Sequence, residues 1–148
     1  MKSKTALWLY IIFRSLLGIV FIWSGISKLL SPDEFAGIIS AYALLPDNLV
    51  SPAAIALPAA ELVFGIALLF DTRISLEAVT GMLLLFVAVL LYGIVQDINV
   101  DCGCFSKEET GGQNSLRYAL YRDFVFIVMV IYMYTWRIFN REKNIPAV

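Results

Sequence analysis

Four stretches of this chain, at about 6–30, 50–70, 75–96 and 118–139, are apolar over roughly 20 residues each, the length an α-helix needs to cross a bilayer. Arg14 interrupts the first and Glu61 the second, the third is free of charge after Glu77, and Arg122 and Asp123 open the fourth. Runs of this length fix the fold class. In hydrocarbon every backbone N–H and C=O must be satisfied within the chain, so the runs must be helices. Short connections then force the helices into antiparallel neighbours, above all at Asp71-Thr72-Arg73. The sequence predicts an all-α membrane protein, a four-transmembrane-helix bundle forming one domain over residues 1–148. Only 16% of residues are charged, against about 25% in soluble domains. A formal net charge of −1 gives no basic surface for nucleic acid, so the bilayer is the first partner. The first run exceeds the 7–15 residues typical of a signal-peptide core and is read as a retained helix.

Between the first two runs lies Ser31-Pro32-Asp33-Glu34, followed by Phe35, Ile38, Ile39 and Tyr42 at helical spacing. Ser31 with Glu34 fits a capping box and Pro32 suits the first helical position. The segment is too short to span and ends before Pro46. It is read as a short interfacial amphipathic helix.

Loop charges set the orientation. With a cytoplasmic N-terminus, Lys2, Lys4, Arg73, Arg137, Arg141 and Lys143 fall inside, while Asp33, Glu34, Asp47, Asp97, Asp101, Glu108 and Glu109 fall outside. Both termini are then cytoplasmic, and the loop at 97–116 faces outward. In a bacterium that side of the inner membrane is the periplasm or cell surface, where disulfides form and persist.

That loop carries the only two cysteines of the chain, in Asp101-Cys102-Gly103-Cys104-Phe105. Residues i and i+2 of an extended chain are roughly 6.5–7 Å apart at Cα, the upper limit for a disulfide. Gly103 lets the backbone tighten between them. A ring so small gains little loop entropy, and strained, exposed disulfides are the labile ones. Two thiolates fill half a tetrahedral metal site, and the chain has no histidine, so no metal is assigned. The reading is a thiol–disulfide pair, Cys102 and Cys104, with Lys28 and Arg122 as cations on the same side of the membrane. One pair on one side cannot relay electrons across the bilayer. They pass to a membrane quinone, for which Trp23 and Tyr92 are outer-half aromatic contacts, or to a partner's cysteines. The alternative is a non-enzymatic membrane anchor or assembly subunit with a structural or idle pair.

Charges inside spans are costly and mark functional or structural polar spots. Measured from the inner ends of their spans, Arg14 and Glu61 lie at similar depths, about 12 and 13 Å. An Arg14–Glu61 ion pair inside the bundle is expected, with Gly18, Gly25 and Gly65 permitting close helix approach.

Taken together, Arg14, Phe21-Ile22-Trp23-Ser24-Gly25-Ile26-Ser27-Lys28-Leu29, Tyr42-Ala43-Leu44-Leu45-Pro46, Leu57-Pro58-Ala59-Ala60-Glu61-Leu62-Val63-Phe64-Gly65 and the Cys-Gly-Cys-Phe element resemble the MauE branch of the DoxX-like membrane proteins over nearly the whole chain. Ser106 departs from the glycine that relatives commonly carry after this element. The resemblance implies a four-helix bacterial membrane protein. It also implies a thioredoxin-like periplasmic partner and disulfide formation of the kind that matures methylamine dehydrogenase. In outline the bundle is similar to the quinone-linked disulfide-generating enzymes of the vitamin K epoxide reductase and DsbB kind.

Overall fold

The computed structural model describes residues 2–98 and 113–143. The described residues form five helices: α1 (Lys2–Leu30), α2 (Pro32–Ala41), α3 (Asp47–Leu69), α4 (Arg73–Val95) and α5 (Gln113–Lys143). The all-helical class is as expected. Three segments, Lys4–Leu30, Asp47–Leu69 and Ile74–Val95, are long and apolar enough to cross a membrane. α5 is longer than any of them, but charged residues at both ends confine its uncharged stretch to Phe124–Trp136, about 20 Å at 1.5 Å per residue. A hydrocarbon core is about 30 Å thick. Length and composition therefore give three spans, and the fourth is not given by them.

The distribution of side chains is that of a bundle in an apolar solvent. Ile19, Val63, Leu84, Val128 and Ile131 point outward, while Lys28, Glu61 and Asp123 are buried. A continuous apolar exterior of this kind marks a membrane-facing surface.

α1 packs chiefly along α3, and α4 along α5. The α1–α3 contact is backbone to backbone. A Cβ built on Gly25 would stand 2.7 Å from the Pro58 carbonyl oxygen, and one on Gly65 would stand 3.0 Å from the Gly18 carbonyl oxygen. Small residues at these points let the helices approach as closely as their main chains allow. They also fix the antiparallel register: Gly18 lies opposite Gly65, and Gly25 opposite Pro58.

The turn between α3 and α4 is tight, as expected. Asp71 takes a left-handed backbone (φ 57°), which Asp tolerates better than most residues. Its carboxylate gathers three groups from two other helices. Tyr10 Oη donates to Oδ1 at 2.6 Å, Arg137 Nη2 donates to Oδ1 at 2.7 Å, and Arg14 Nη1 lies 3.1 Å from Oδ2. Partial burial pushes the Asp71 carboxyl up, but the hydrogen bonds from Tyr10 and Arg137 and the charges of Arg137 and Arg14 outweigh it and hold the pKa below the usual carboxylate range. A lowered folded-state pKa means the stabilisation is present above the unfolded value, near 3.9, and is lost as pH falls through the folded value. Asp71 is 42% exposed, so screening limits the effect. Asp71→Asn is expected to cost about 1 kcal/mol at neutral pH and progressively less as acid titrates the lowered carboxyl, as read by thermal denaturation in detergent across pH.

The main core lies at this same end, where Leu17, Phe21, Leu68, Leu76, Val130 and Met133 from four helices interdigitate. Beyond the end of α3, the first turns of α1 lean on α5. There Tyr132 Oη donates to the Ala6 carbonyl at 3.2 Å, and Phe13 meets the Tyr132 ring edge-on. Among the described residues, the opposite end has a small cluster, Leu90, Leu116 and Ala119.

α2 forms where expected, with Ser31 at the N-cap and Pro32 in the first turn, but the Ser31 side chain makes no cap hydrogen bond. The capping box is therefore not formed; Ser31 contributes its backbone carbonyl, which accepts from Phe35 N at 3.2 Å. The apolar residues of α2 turn toward the bundle. Phe35 is buried, and Ile38, Ile39 and Tyr42 line an internal cavity. Tyr42 rests on Gly93 of α4, where a Cβ would stand 2.7 Å from its ring. α2 thus packs on α3, and Tyr42 at its C-cap reaches α4.

Candidate functional site

Lys28 closes α1, and its side chain leans back toward the N-terminus of its helix, as helical side chains do. The close approach at Gly25 and Pro58 brings α3 alongside, so Lys28 Nζ reaches Glu61 Oε1 at 2.5 Å. Both residues are removed from solvent, at 3% and 0% exposure. Phe35 and Phe86 lie 5.1 and 4.7 Å from Nζ at their ring centroids, within range for cation–π attraction. α5 supplies a second pair: Arg122 donates through Nη2 and Nε to Asp123 Oδ1 at 3.1 and 3.3 Å. Asp123 is 2% exposed.

Each carboxylate keeps one buried oxygen, Glu61 Oε2 and Asp123 Oδ2, with no hydrogen-bond partner among the described residues. A void of about 20 Å³ between them, lined also by Ser24, has room for about one water molecule. Replacing buried ion pairs with apolar residues is often neutral or stabilising. Two such pairs in an otherwise apolar bundle therefore point to binding or proton handling rather than to packing.

The same Lys28, Arg122 and Asp123 form the polar end of a much larger cavity of about 490 Å³. Its other walls are apolar. α2 contributes Phe35 and Ile38, α3 contributes Ala53 and Leu57, and α4 contributes Phe86 and Val89. Four lining residues are exposed: Leu44 and Leu45 before α3, Ala56 on α3 and Leu85 on α4. Chemically the site offers two cations, two carboxylate oxygens with unused acceptor capacity, and an apolar chamber beside them.

The residues expected from sequence are distributed differently. The expected Arg14–Glu61 pair does not form. The register set by Gly18–Gly65 puts Arg14 level with Leu69 and Glu61 level with Ile22, eight residues and so about 12 Å further along α1. Arg14 instead pairs with Asp71, and Glu61 with Lys28. Trp23 and Tyr92 are exposed at 61% and 38% and line neither of these cavities. Lys28 and Arg122 come together at one polar site. Cys102 and Cys104 lie outside the described residues. Asp123 was not singled out from sequence as a site residue, although its place next to Arg122 in an apolar run was the signal. The Lys28–Glu61 pair follows once the glycines are used to align α1 with α3.

Comparison with known proteins gives one family. The sequence profile described as "Methylamine utilisation protein MauE" matches residues 6–136. Among curated proteins, "Methylamine utilization protein MauE" of Paracoccus denitrificans is 32% identical over 95 residues, 62% of this chain and 51% of that protein. The protein of the same name from Methylophilus methylotrophus is 37% identical over 87 residues, 57% of this chain and 46% of its own length. The match thus spans about half the length of these relatives. No solved structure gives a significant match.

Proposed function

The chain belongs to the family of methylamine utilisation protein MauE, and from that premise we propose that it is a membrane thiol–disulfide redox protein. The observation that carries the reading is the placement of its only cysteines, Cys102 and Cys104, on the segment joining α4 to α5. Those are two of the helices that wall the polar site. In this reading α5 is the fourth span, both termini are cytoplasmic, and the cysteine segment faces the periplasm or cell surface of a bacterial inner membrane. The excess of Lys and Arg near the termini and at Arg73 supports that orientation.

The partner is a thioredoxin-like protein with a dithiol. A partner thiolate attacks one sulfur of the Cys102–Cys104 disulfide to give a mixed disulfide. The second partner thiolate resolves it. The partner leaves oxidised, and Cys102 and Cys104 are left as a dithiol. Re-oxidation moves two electrons and two protons from that dithiol to a membrane quinone, which leaves as quinol. The reading places the final substrate protein in methylamine metabolism, and the name of the relatives supports that setting.

Alkylation trapping of Cys102 and Cys104 in intact cells with a membrane-impermeant reagent tests this. The pair is expected to be mainly oxidised in normal cells and to accumulate as dithiol when quinone is depleted. If its redox state responds neither to quinone depletion nor to loss of the thioredoxin-like protein, the pair is idle and the chain is an assembly subunit.

A further inference from the structure

We propose that the 490 Å³ cavity is a binding site for the ring of a lipid-soluble quinone, with the ring at the Lys28–Asp123 end and the tail leaving between Ala56 and Leu85. The choice of a redox carrier as occupant rests on the thiol–disulfide reading; the cavity as a ligand site does not.

Three observations carry the assignment. The volume falls within the range of about 300–1,000 Å³ typical of small-molecule sites, and the apolar walls with one polar end fit an amphiphile rather than a solute. The exposed lining residues, Leu44, Leu45, Ala56 and Leu85, are all apolar, and the last two lie on α3 and α4, so the route we assign to the ligand is from lipid between them. The polar end serves both redox forms of a quinone. Quinone carbonyl oxygens accept hydrogen bonds, and Lys28 and Arg122 are donors on the lining. Quinol hydroxyls donate, and Asp123, one of the lining residues, keeps a buried oxygen, Oδ2, with no partner among the described residues. Glu61 Oε2 lines only the small void, and it would act on a ligand through Lys28, to which Glu61 is paired. A saturated acyl chain would use none of these groups. Phe35 and Phe86, on α2 and α4, present aromatic side chains beside Lys28, where a flat ring would rest.

The test is equilibrium binding of decylubiquinone to the full chain in phosphatidylcholine nanodiscs, by titration calorimetry with empty nanodiscs subtracted. Saturable binding at one site per chain is expected. Ala53→Phe and Val89→Phe fill the chamber without touching the charges. Each is expected to weaken binding about tenfold or more, with helicity unchanged by circular dichroism. Trp23→Ala, on the outer face, is expected to bind as the wild type does. No saturable binding, or folded Ala53→Phe and Val89→Phe variants that bind as tightly as the wild type, would overturn the assignment. So would a phospholipid seen in native mass spectra that decylubiquinone does not displace. The double variant Cys102→Ser/Cys104→Ser separates the two proposals, because its binding is expected to equal the wild type's. Saturable binding together with a cysteine pair unresponsive in cells keeps the cavity site and removes the redox reading. A responsive pair without binding does the reverse.

Discussion

Lys28→Met is expected to lower the stability of the bundle by about 3–5 kcal/mol, the cost of removing one partner from a buried ion pair. The substitution strips Glu61 of its one hydrogen bond, at Oε1, and leaves a carboxylate with 0% exposure beside an oxygen that already lacks a partner. Glu61 then remains as an uncompensated buried group, and that costs stability. Glu61→Leu alone is expected to do comparable damage by leaving the ammonium of Lys28 between Phe35 and Phe86. The double variant Lys28→Met/Glu61→Leu is expected to recover most of the loss, because the attraction between the two charges barely exceeds the cost of desolvating them. Thermal or urea denaturation of the four proteins in the same detergent gives the coupling energy directly. Additive losses in the double variant would show that the pair does not act as a unit.

The second large effect is at Gly25. Gly25→Leu places a Cβ 2.7 Å from the Pro58 carbonyl oxygen and 3.0 Å from Leu62 N. Both are main-chain atoms of a helix and cannot swing aside, so α1 and α3 must separate. The expected loss is about 3 kcal/mol, the upper range for overpacking. The displacement would also carry Lys28 away from Glu61. Gly18→Ala should be milder, because the nearest atom there, at 2.8 Å, is Leu69 Cδ2 at the end of a flexible side chain. At Gly37 and Gly81 nothing lies within 4 Å of an added Cβ. Alanine there should stabilise the helix by up to about 1 kcal/mol. A denaturation series across these four glycines that showed no such ranking would contradict the close-contact seam.

Much of this architecture can be read from the sequence. The apolar runs give α1, α3 and α4 because backbone groups in hydrocarbon have few alternatives to a helix, and Asp71-Thr72-Arg73 is too short to do anything but turn. α5 shows the limit of that signal. The apolar pattern suggests 118–139, whereas the helix occupies Gln113–Lys143, since main-chain hydrogen bonding continues through Arg117 and Arg141 where hydropathy stops. The pairing of Arg14 departs from the sequence expectation for a similar reason. Equal depth from the ends of two apolar runs implies a pair only where those ends are level. α1 in fact extends well past α3, which carries Arg14 to Asp71. The residues that set the true register, Gly18, Gly25 and Gly65, were visible, but periodicity alone does not say which glycines face each other. The cavity was not legible at all, because it depends on α2 folding back over α3 and α4 and on Tyr42 seating against Gly93.

The uneven packing of the bundle has a thermodynamic consequence. At the Asp71 end, four helices share a dense core and a carboxylate gathers three partners. At the other end, a chamber takes the place of side chains, and dispersion contacts are correspondingly fewer. Among the described residues, local opening therefore requires less free energy around α2 and the turns of α3 and α4 far from Asp71 than around the α3–α4 turn. Amide exchange should spread inward from the chamber, and the dense end should be the last unit to open. Any molecule that occupies the chamber supplies the missing contacts, so its binding free energy appears as added stability of that half of the bundle.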